Sequence, residues 1–233
     1  MTILAFDTCF GAVSVAVCLP GIVGTTPLIV EAFEPMAKGH AERLLPMIAG
    51  TLAEADIGYV DVTRLAVTLG PGGFTGLRAG IAAVRGLALA TGLPVVGMSS
   101  LAVMARGAVR ELGHLGTTQS LAVIVDARRD EVYLQLFTAD GQTELGAAQL
   151  ATLEQAVNLL PAGDVVAVGS GAAFVVAMAG RNDVVVELSN LLPRASDLVA
   201  VAAQLQPLMQ VTPNYLRAAD AKVQTANVLP RMA

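Results

Sequence analysis

Hydrophobic and polar positions along this chain fall into short alternating runs and helical stripes, punctuated by glycine turns. Ile3-Leu4-Ala5-Phe6 is an apolar run that stops at Asp7. A polar and glycine turn covers Thr8 to Gly11, after which Val13, Val15 and Val17 alternate with Ser14 and Ala16. That pattern predicts a β-hairpin opening a sheet. A second stretch repeats it: Ala122-Val123-Ile124-Val125 stops at Asp126, a charged turn covers Arg128 to Glu131, and Val132, Leu134 and Leu136 alternate with Tyr133 and Gln135. Counted from its aspartate, each copy places its apolar residues at the same offsets. The chain reads as one α/β unit used twice, each copy opening with strand, aspartate turn and strand. Chance is the competing reading, because alternating strands are common.

Between and after the hairpins the period changes. Gly39 to Glu54 predicts a helix with Leu44, Leu45, Ile48 and Leu52 on one face and Pro46 interrupting its backbone bonding. Leu65 to Leu69 predicts a buried strand that runs into Gly70-Pro71-Gly72-Gly73-Phe74-Thr75-Gly76-Leu77-Arg78 and a helix reaching Thr91. Pro94 to Met98 is the next predicted strand. Beyond residue 100 the expected order is a helix, the second aspartate hairpin, a strand over Val165 to Val168 with Gly169-Ser170-Gly171, and a helix from Ala195 to about Leu205. Ser196 and Asp197 are candidate caps for the last helix.

Composition narrows the function. Of 233 residues, 55% are hydrophobic and 14% charged, which supplies a large core and excludes a disordered chain. Aromatic residues are only 4%, so that core depends on close packing of Ala, Val and Leu. The net charge is −5 with no run of basic residues, so the chain is not expected to hold nucleic acid alone, because such affinity rests on Lys and Arg neutralising phosphates. Cys9 and Cys18 lack the spacing of a zinc site and read as buried reduced thiols. The start of the chain has no basic region followed by an apolar stretch, and no apolar run approaches the roughly 20 residues that span a bilayer. The expected location is the cytoplasm, with no membrane contact.

The chemistry-bearing candidates are few. The glycine loop joins a strand to a helix, where backbone N–H groups can hold phosphate. It departs from the P-loop, which needs a lysine near its end, and from the dinucleotide fingerprint, which needs glycine where Thr75 stands. Its other reading is a tight connection whose glycines supply unusual backbone angles. The following helix carries Gly76, Ala79, Gly80, Ala83 and Gly86, which suggests that another backbone approaches closely. Arg78 and Arg85 share a face of it, either packed within the chain or anchoring a partner. His40 has Arg43 and Leu44 where a helical metal pair would place its second histidine, and His114 lies in another segment, so a histidine-based metal centre lacks ligands and His40 reads as a cap or surface group. Asp7 and Asp126 end strands at matching places. Each is either a turn cap or one of a pair of cleft carboxylates, with the cap favoured for Asp7.

Several of these stretches together carry a resemblance: Phe6-Asp7-Thr8, His40-Ala41-Glu42-Arg43-Leu44-Leu45-Pro46-Met47-Ile48, Gly70 to Gly80, Ser99-Ser100-Leu101, Asp126 to Tyr133 and Pro213-Asn214-Tyr215-Leu216-Arg217. In order along the whole chain, they resemble the TsaB (YeaZ) family, whose sister is the catalytic subunit TsaD. The resemblance implies an α/β, two-lobed actin/hexokinase-like (ASKHA) fold built from a duplicated mixed-sheet unit. The expected lobes cover residues 1–105 and 106–212, with a tail over 213–233 packing back on the first. It implies a non-catalytic partner subunit required for threonylcarbamoylation of the adenosine next to the anticodon. The implied partners are TsaD as a heterodimer, the ATPase TsaE, and a second copy as a homodimer, with tRNA reached only through the complex. Leu44 stands where TsaD carries the second histidine of its metal pair. Implied partner-interface residues are His40, Leu44, Leu45, Ile48, Leu77, Arg78, Gly80, Ile81 and Arg85, some of them necessarily core. No tightly bound cofactor is expected. A nucleotide, ATP or ADP, at the complex interface would make Gly72, Gly73, Thr75 and Gly76 its candidate contacts. Rival readings are an active phosphotransferase or peptidase of the same fold, and a scaffold serving other partners.

Overall fold

The computed structural model describes residues 1–21, 26–113 and 115–217. His114 and the tail beyond Arg217 lie outside the described residues. The first half contains β1 (Ile3–Asp7), β2 (Ala12–Leu19), β3 (Leu28–Pro35), α1 (His40–Glu54), β4 (Arg64–Thr68), α2 (Phe74–Thr91), β5 (Val95–Met98) and α3 (Ser100–Leu112). The second contains β6 (Ser120–Arg128), β7 (Glu131–Thr138), β8 (Gln149–Thr152), α4 (Leu153–Leu159), β9 (Val165–Val168), α5 (Ala172–Ala179), β10 (Val184–Glu187) and α6 (Ala195–Ala202). The two halves repeat one order of elements, three strands and then helix, strand, helix, strand, helix.

The sheets repeat as well. The first runs β3-β2-β1-β4-β5, with β1 antiparallel to β2 and parallel to β4. The second runs β10-β9-β6-β7-β8, the same order read from its other edge, with β6 antiparallel to β7 and parallel to β9. This is the duplicated, two-lobed actin/hexokinase-like architecture.

Each sheet is covered on both faces, which is why β1 and β2 are buried on both sides. On the first sheet, Val13, Val15 and Val17 face Leu44, Ile48, Leu77 and Ile81 of α1 and α2. Ile3, Ala5 and Ala16 face Ala195, Leu198, Val199 and Ala202 of α6. The third helices are exchanged between the halves: α3 packs with Leu121, Val123 and Phe137 of the second sheet, while α6 closes the first. The return to the first lobe therefore begins at Ala195, ahead of the tail expected from residue 213.

Local chemistry supports the exchange. Ser196 and Asp197 do not cap α6. Its first amides are instead met by the first sheet, Ala195 N–H donating to Ser14 Oγ (2.8 Å) and Ser196 N–H to Glu31 Oε1 (3.1 Å). Glu31 also accepts Arg194, at 2.7 Å. Asp197 pairs with Arg110 of α3 at 2.7 Å, and Gly107 leaves room for that carboxylate, which a Cβ would meet at 2.8 Å. Burial pushes the Asp197 carboxyl up, and the Arg110 bond pulls it back.

Candidate functional site

The glycine loop is seated against the turn between β1 and β2. Gly73 N–H donates to the Cys9 carbonyl (2.6 Å) and Thr8 Oγ1 donates to the Gly76 carbonyl (2.7 Å). A Cβ on Gly72 would stand 2.4 Å from the Cys9 oxygen, and one on Gly76 2.1 Å from the Thr8 oxygen. The close backbone approach expected of these glycines is thus made within the chain. From the other side Ser100, at the start of α3, donates its N–H to Gly70 O (3.0 Å) and its hydroxyl to Pro71 O (2.5 Å). Of the four candidate nucleotide contacts, Gly73 and Thr75 are exposed, Gly72 is half-buried and Gly76 is buried.

Beneath the loop lies Asp7, 1% exposed. One of its oxygens accepts the Cys9 N–H (3.2 Å) and the other accepts the Thr68 hydroxyl. Cys9 Sγ is 3.2 Å from Thr68 Oγ1. Burial raises the Asp7 carboxyl to about 6, with the Thr68 and Cys9 bonds opposing. Burial likewise pushes the Cys9 thiol up, and the neighbouring Asp7 charge adds to it. Asp7 is a turn cap whose oxygens are spent inside the protein. Asp126 is the equivalent cap, its Oδ1 accepting Arg128 N–H at 2.8 Å, but it is partly exposed. It lines a cavity of about 250 Å³ together with Arg129, Asp130, Val132, Leu153 and Phe174. Asp7 is buried and Asp126 partly exposed, so the two carboxylates stand in different surroundings.

His40, at the first position of α1, places Nε2 2.8 Å from the Phe10 carbonyl, to which it donates. Leu44, one turn on, is 1% exposed and belongs to the core. Among the described residues, no three His, Cys, Asp or Glu side chains gather as a metal site would require. No helix of the described residues is long and apolar enough to cross a membrane.

The nominated interface residues separate into two groups. Leu44, Ile48, Leu77 and Ile81 are core, facing the first sheet, and cannot meet a partner from there. Gly80 is buried too, a Cβ there meeting Thr8 Oγ1 at 2.6 Å, so a bulky residue at 80 would disturb the lobe itself. Leu45 lies outside the buried stripe, which uses Met47 and Thr51 instead. Arg78 and Arg85 are exposed, yet both hold this chain's own later residues: Arg78 Nε donates to Tyr215 Oη (2.8 Å) and Arg85 Nε to Val211 O (2.9 Å). The Arg78 guanidinium also lies 3.6 Å over the Phe74 ring. Exposed apolar residues beside them are Phe74, Leu89 (90%), Met209 and Tyr215. Leu89 stands one turn beyond Arg85 on the stripe that carries Arg78, a spacing that could have nominated it.

Comparison with known proteins follows this geometry. Residues 34–228 match the family model described as TsaD, tRNA N6-adenosine threonylcarbamoyltransferase. The tRNA threonylcarbamoyladenosine biosynthesis protein TsaB of Escherichia coli is 34% identical, over 88% of this chain and 87% of that one. Its Haemophilus influenzae namesake is 33% identical, over 73% and 72%. A Pseudomonas aeruginosa structure described as similar to peptidase YEAZ superposes with a TM-score of 0.80 at 34% identity, covering 93% of this chain and 99% of the other. A second structure, YeaZ from the same organism, gives 0.77 at 34% identity, over 92% and 99%.

Proposed function

The chain belongs to the TsaB (YeaZ) branch of the TsaB/TsaD family, and from that premise we propose that it is the non-catalytic partner subunit in threonylcarbamoyladenosine formation on tRNA. It pairs with a TsaD-type catalytic subunit, and a TsaE-type ATPase is recruited to the pair. The observation that carries this reading is at the start of α1. The single histidine there is spent on the Phe10 carbonyl, and the position one turn later is the core residue Leu44. A leucine cannot ligate a metal, so these two positions do not offer the histidine pair that the catalytic sister family carries.

The pairing face is the outer side of α1 and α2, with Leu45, Phe74, Arg78 and Leu89 turned outward. A second copy of the chain competes for the same face, and tRNA is reached through the catalytic subunit, in keeping with a net charge of −5. A nucleotide at the pair's interface would meet Gly73 and Thr75, the two exposed members of the loop set. The cytoplasm is the expected compartment. Reconstitution tests the reading: tRNA, TsaD, TsaE and the enzyme that makes threonylcarbamoyl-adenylate are combined with and without this chain, and the modified nucleoside is quantified. Modification is expected to require the chain, and equal yield without it would refute the proposal.

A further inference from the structure

After α6 the chain travels round to the opposite face of the first sheet. Leu208 N–H donates to Val95 O (2.8 Å) and Asn214 N–H to Leu69 O (2.6 Å). Val211 O accepts Arg85 and Tyr215 Oη accepts Arg78. Leu208 and Val211 pack into the cluster built by α1 and α2. After Tyr215 the chain changes lobe. Leu216 packs against the second-lobe cluster that contains Tyr133 and Phe137, and Arg217 donates to Glu131 Oε2 (2.5 Å) and Arg128 O (3.3 Å).

The internal repeat gives Arg217 its meaning. Cys9 and Arg128 are equivalent, each donating its N–H to the strand-end aspartate two residues earlier. The Cys9 carbonyl is taken by Gly73 of the glycine loop, whereas the Arg128 carbonyl is taken by Arg217. The arginine from the end of the described chain occupies the seat that the glycine loop fills in the first lobe.

The lobes also meet through α3 and α6, joined by Arg110 and Asp197, and through Phe10 against Tyr133. The α6 contact lies on the face of the first sheet opposite α1 and α2. Two lobes joined chiefly through one pair of helices are expected to shift relative to one another unless further contacts hold them. We propose that residues 208–217 are a strap that clamps the two lobes at one angle, moored on the first by Arg85 and Arg78 and latched on the second by Leu216 and the Arg217–Glu131 pair. This goes beyond the pairing role and does not rest on it.

The test uses the full chain with spin labels on Glu54→Cys and Asn182→Cys, both exposed and one in each lobe, the native thiols being buried. Labelled chain is diluted in unlabelled chain so that only distances within one molecule are read. Arg217→Ala and the milder Glu131→Gln are each expected to broaden the inter-lobe distance distribution. Each should also speed hydrogen exchange at the Asn214 amide by about tenfold. Arg43→Ala, which breaks an exposed pair with Glu34 inside the first lobe, should leave both readouts unchanged. If Arg217→Ala does not fold, Glu131→Gln decides alone. Distributions superimposable on the parent's, or equal broadening in Arg43→Ala, would overturn the strap.

Discussion

The seat of the glycine loop makes a sharp quantitative demand at Gly76. A Cβ there would lie 2.1 Å from the Thr8 carbonyl oxygen, while carbon and oxygen ordinarily approach no closer than about 3.3 Å. Neither side can yield cheaply, since one is the first turn of α2 and the other the backbone of the turn that β1 and β2 enclose. Relief requires the helix to move by about an ångström, which would strain or break the Thr8–Gly76 and Gly73–Cys9 bonds. Overpacking of this kind costs about 1–3 kcal/mol, and each bond contributes about 1 kcal/mol. Alanine recovers up to about 1 kcal/mol of helix propensity. Gly76→Ala should therefore lose about 3 kcal/mol, lowering the thermal midpoint by about 9 °C for a chain of this size. Gly86 is the internal control: it is exposed in the same helix with nothing within 4 Å of its ideal Cβ. Gly86→Ala should gain about 0.5–1 kcal/mol. Urea unfolding monitored by circular dichroism reads both. The packing account fails if Gly76→Ala falls within about 0.5 kcal/mol of the parent.

Two further outcomes follow from the same geometry. Asp7 has a folded value of about 6 against an ordinary 3.8, so the folded state binds its proton more tightly and the associated stability is present below about pH 3.8. That contribution, on the order of 3 kcal/mol, is lost as pH rises toward 6. Asp7→Asn should match the parent near pH 4 and gain on it up to pH 6, and a difference in urea midpoints that stays constant across that range would contradict the burial argument. Leu89→Asp, at a position 90% exposed, should leave the thermal midpoint within about 2 °C while weakening the proposed complex with TsaD at least tenfold in a titration calorimetry experiment. Unchanged affinity would place the pairing face elsewhere.

The parts of the fold visible in the sequence were those whose pattern is set by burial on a regular period. Val13, Val15 and Val17 alternate because one face of β2 meets α1 and α2, and Ser14 and Ala16 are small because α6 lies against the other. The second hairpin obeys the same constraint, so the duplication could be read. β3 escaped notice because it is a half-exposed edge without clean alternation, and α4, α5 and β10 are too short to carry a period. The exchange of α3 and α6 was illegible because an apolar helix face does not name the sheet it will cover. The same ambiguity governed the interface residues. Leu44, Ile48, Leu77 and Ile81 are apolar for the core, and apolarity alone does not separate a core stripe from a docking stripe. Arg78 and Arg85 were legible as anchors, but not that the anchored backbone belongs to the same chain.

The two aspartate turns are covered differently in the two lobes. In the first lobe the glycine loop closes over Asp7, whose oxygens are consumed by Thr68 and Cys9. In the second, the shorter Gly169-Ser170-Gly171 connection accepts the Asp126 N–H on the Ser170 hydroxyl (3.1 Å) and donates Gly171 N–H to the Ile124 carbonyl (3.0 Å), and the cavity beside Asp126 stays open. Two carboxylates that act together on one substrate must share one space, because the field of each has to reach the same reacting atoms. Here the covering of one turn separates them, and the residues that cover it, Gly72 through Gly80, continue directly into the outward face of α2. The sequence feature that covers the first aspartate turn is thus the one that leads into the exposed side of α2, the side proposed to meet a partner.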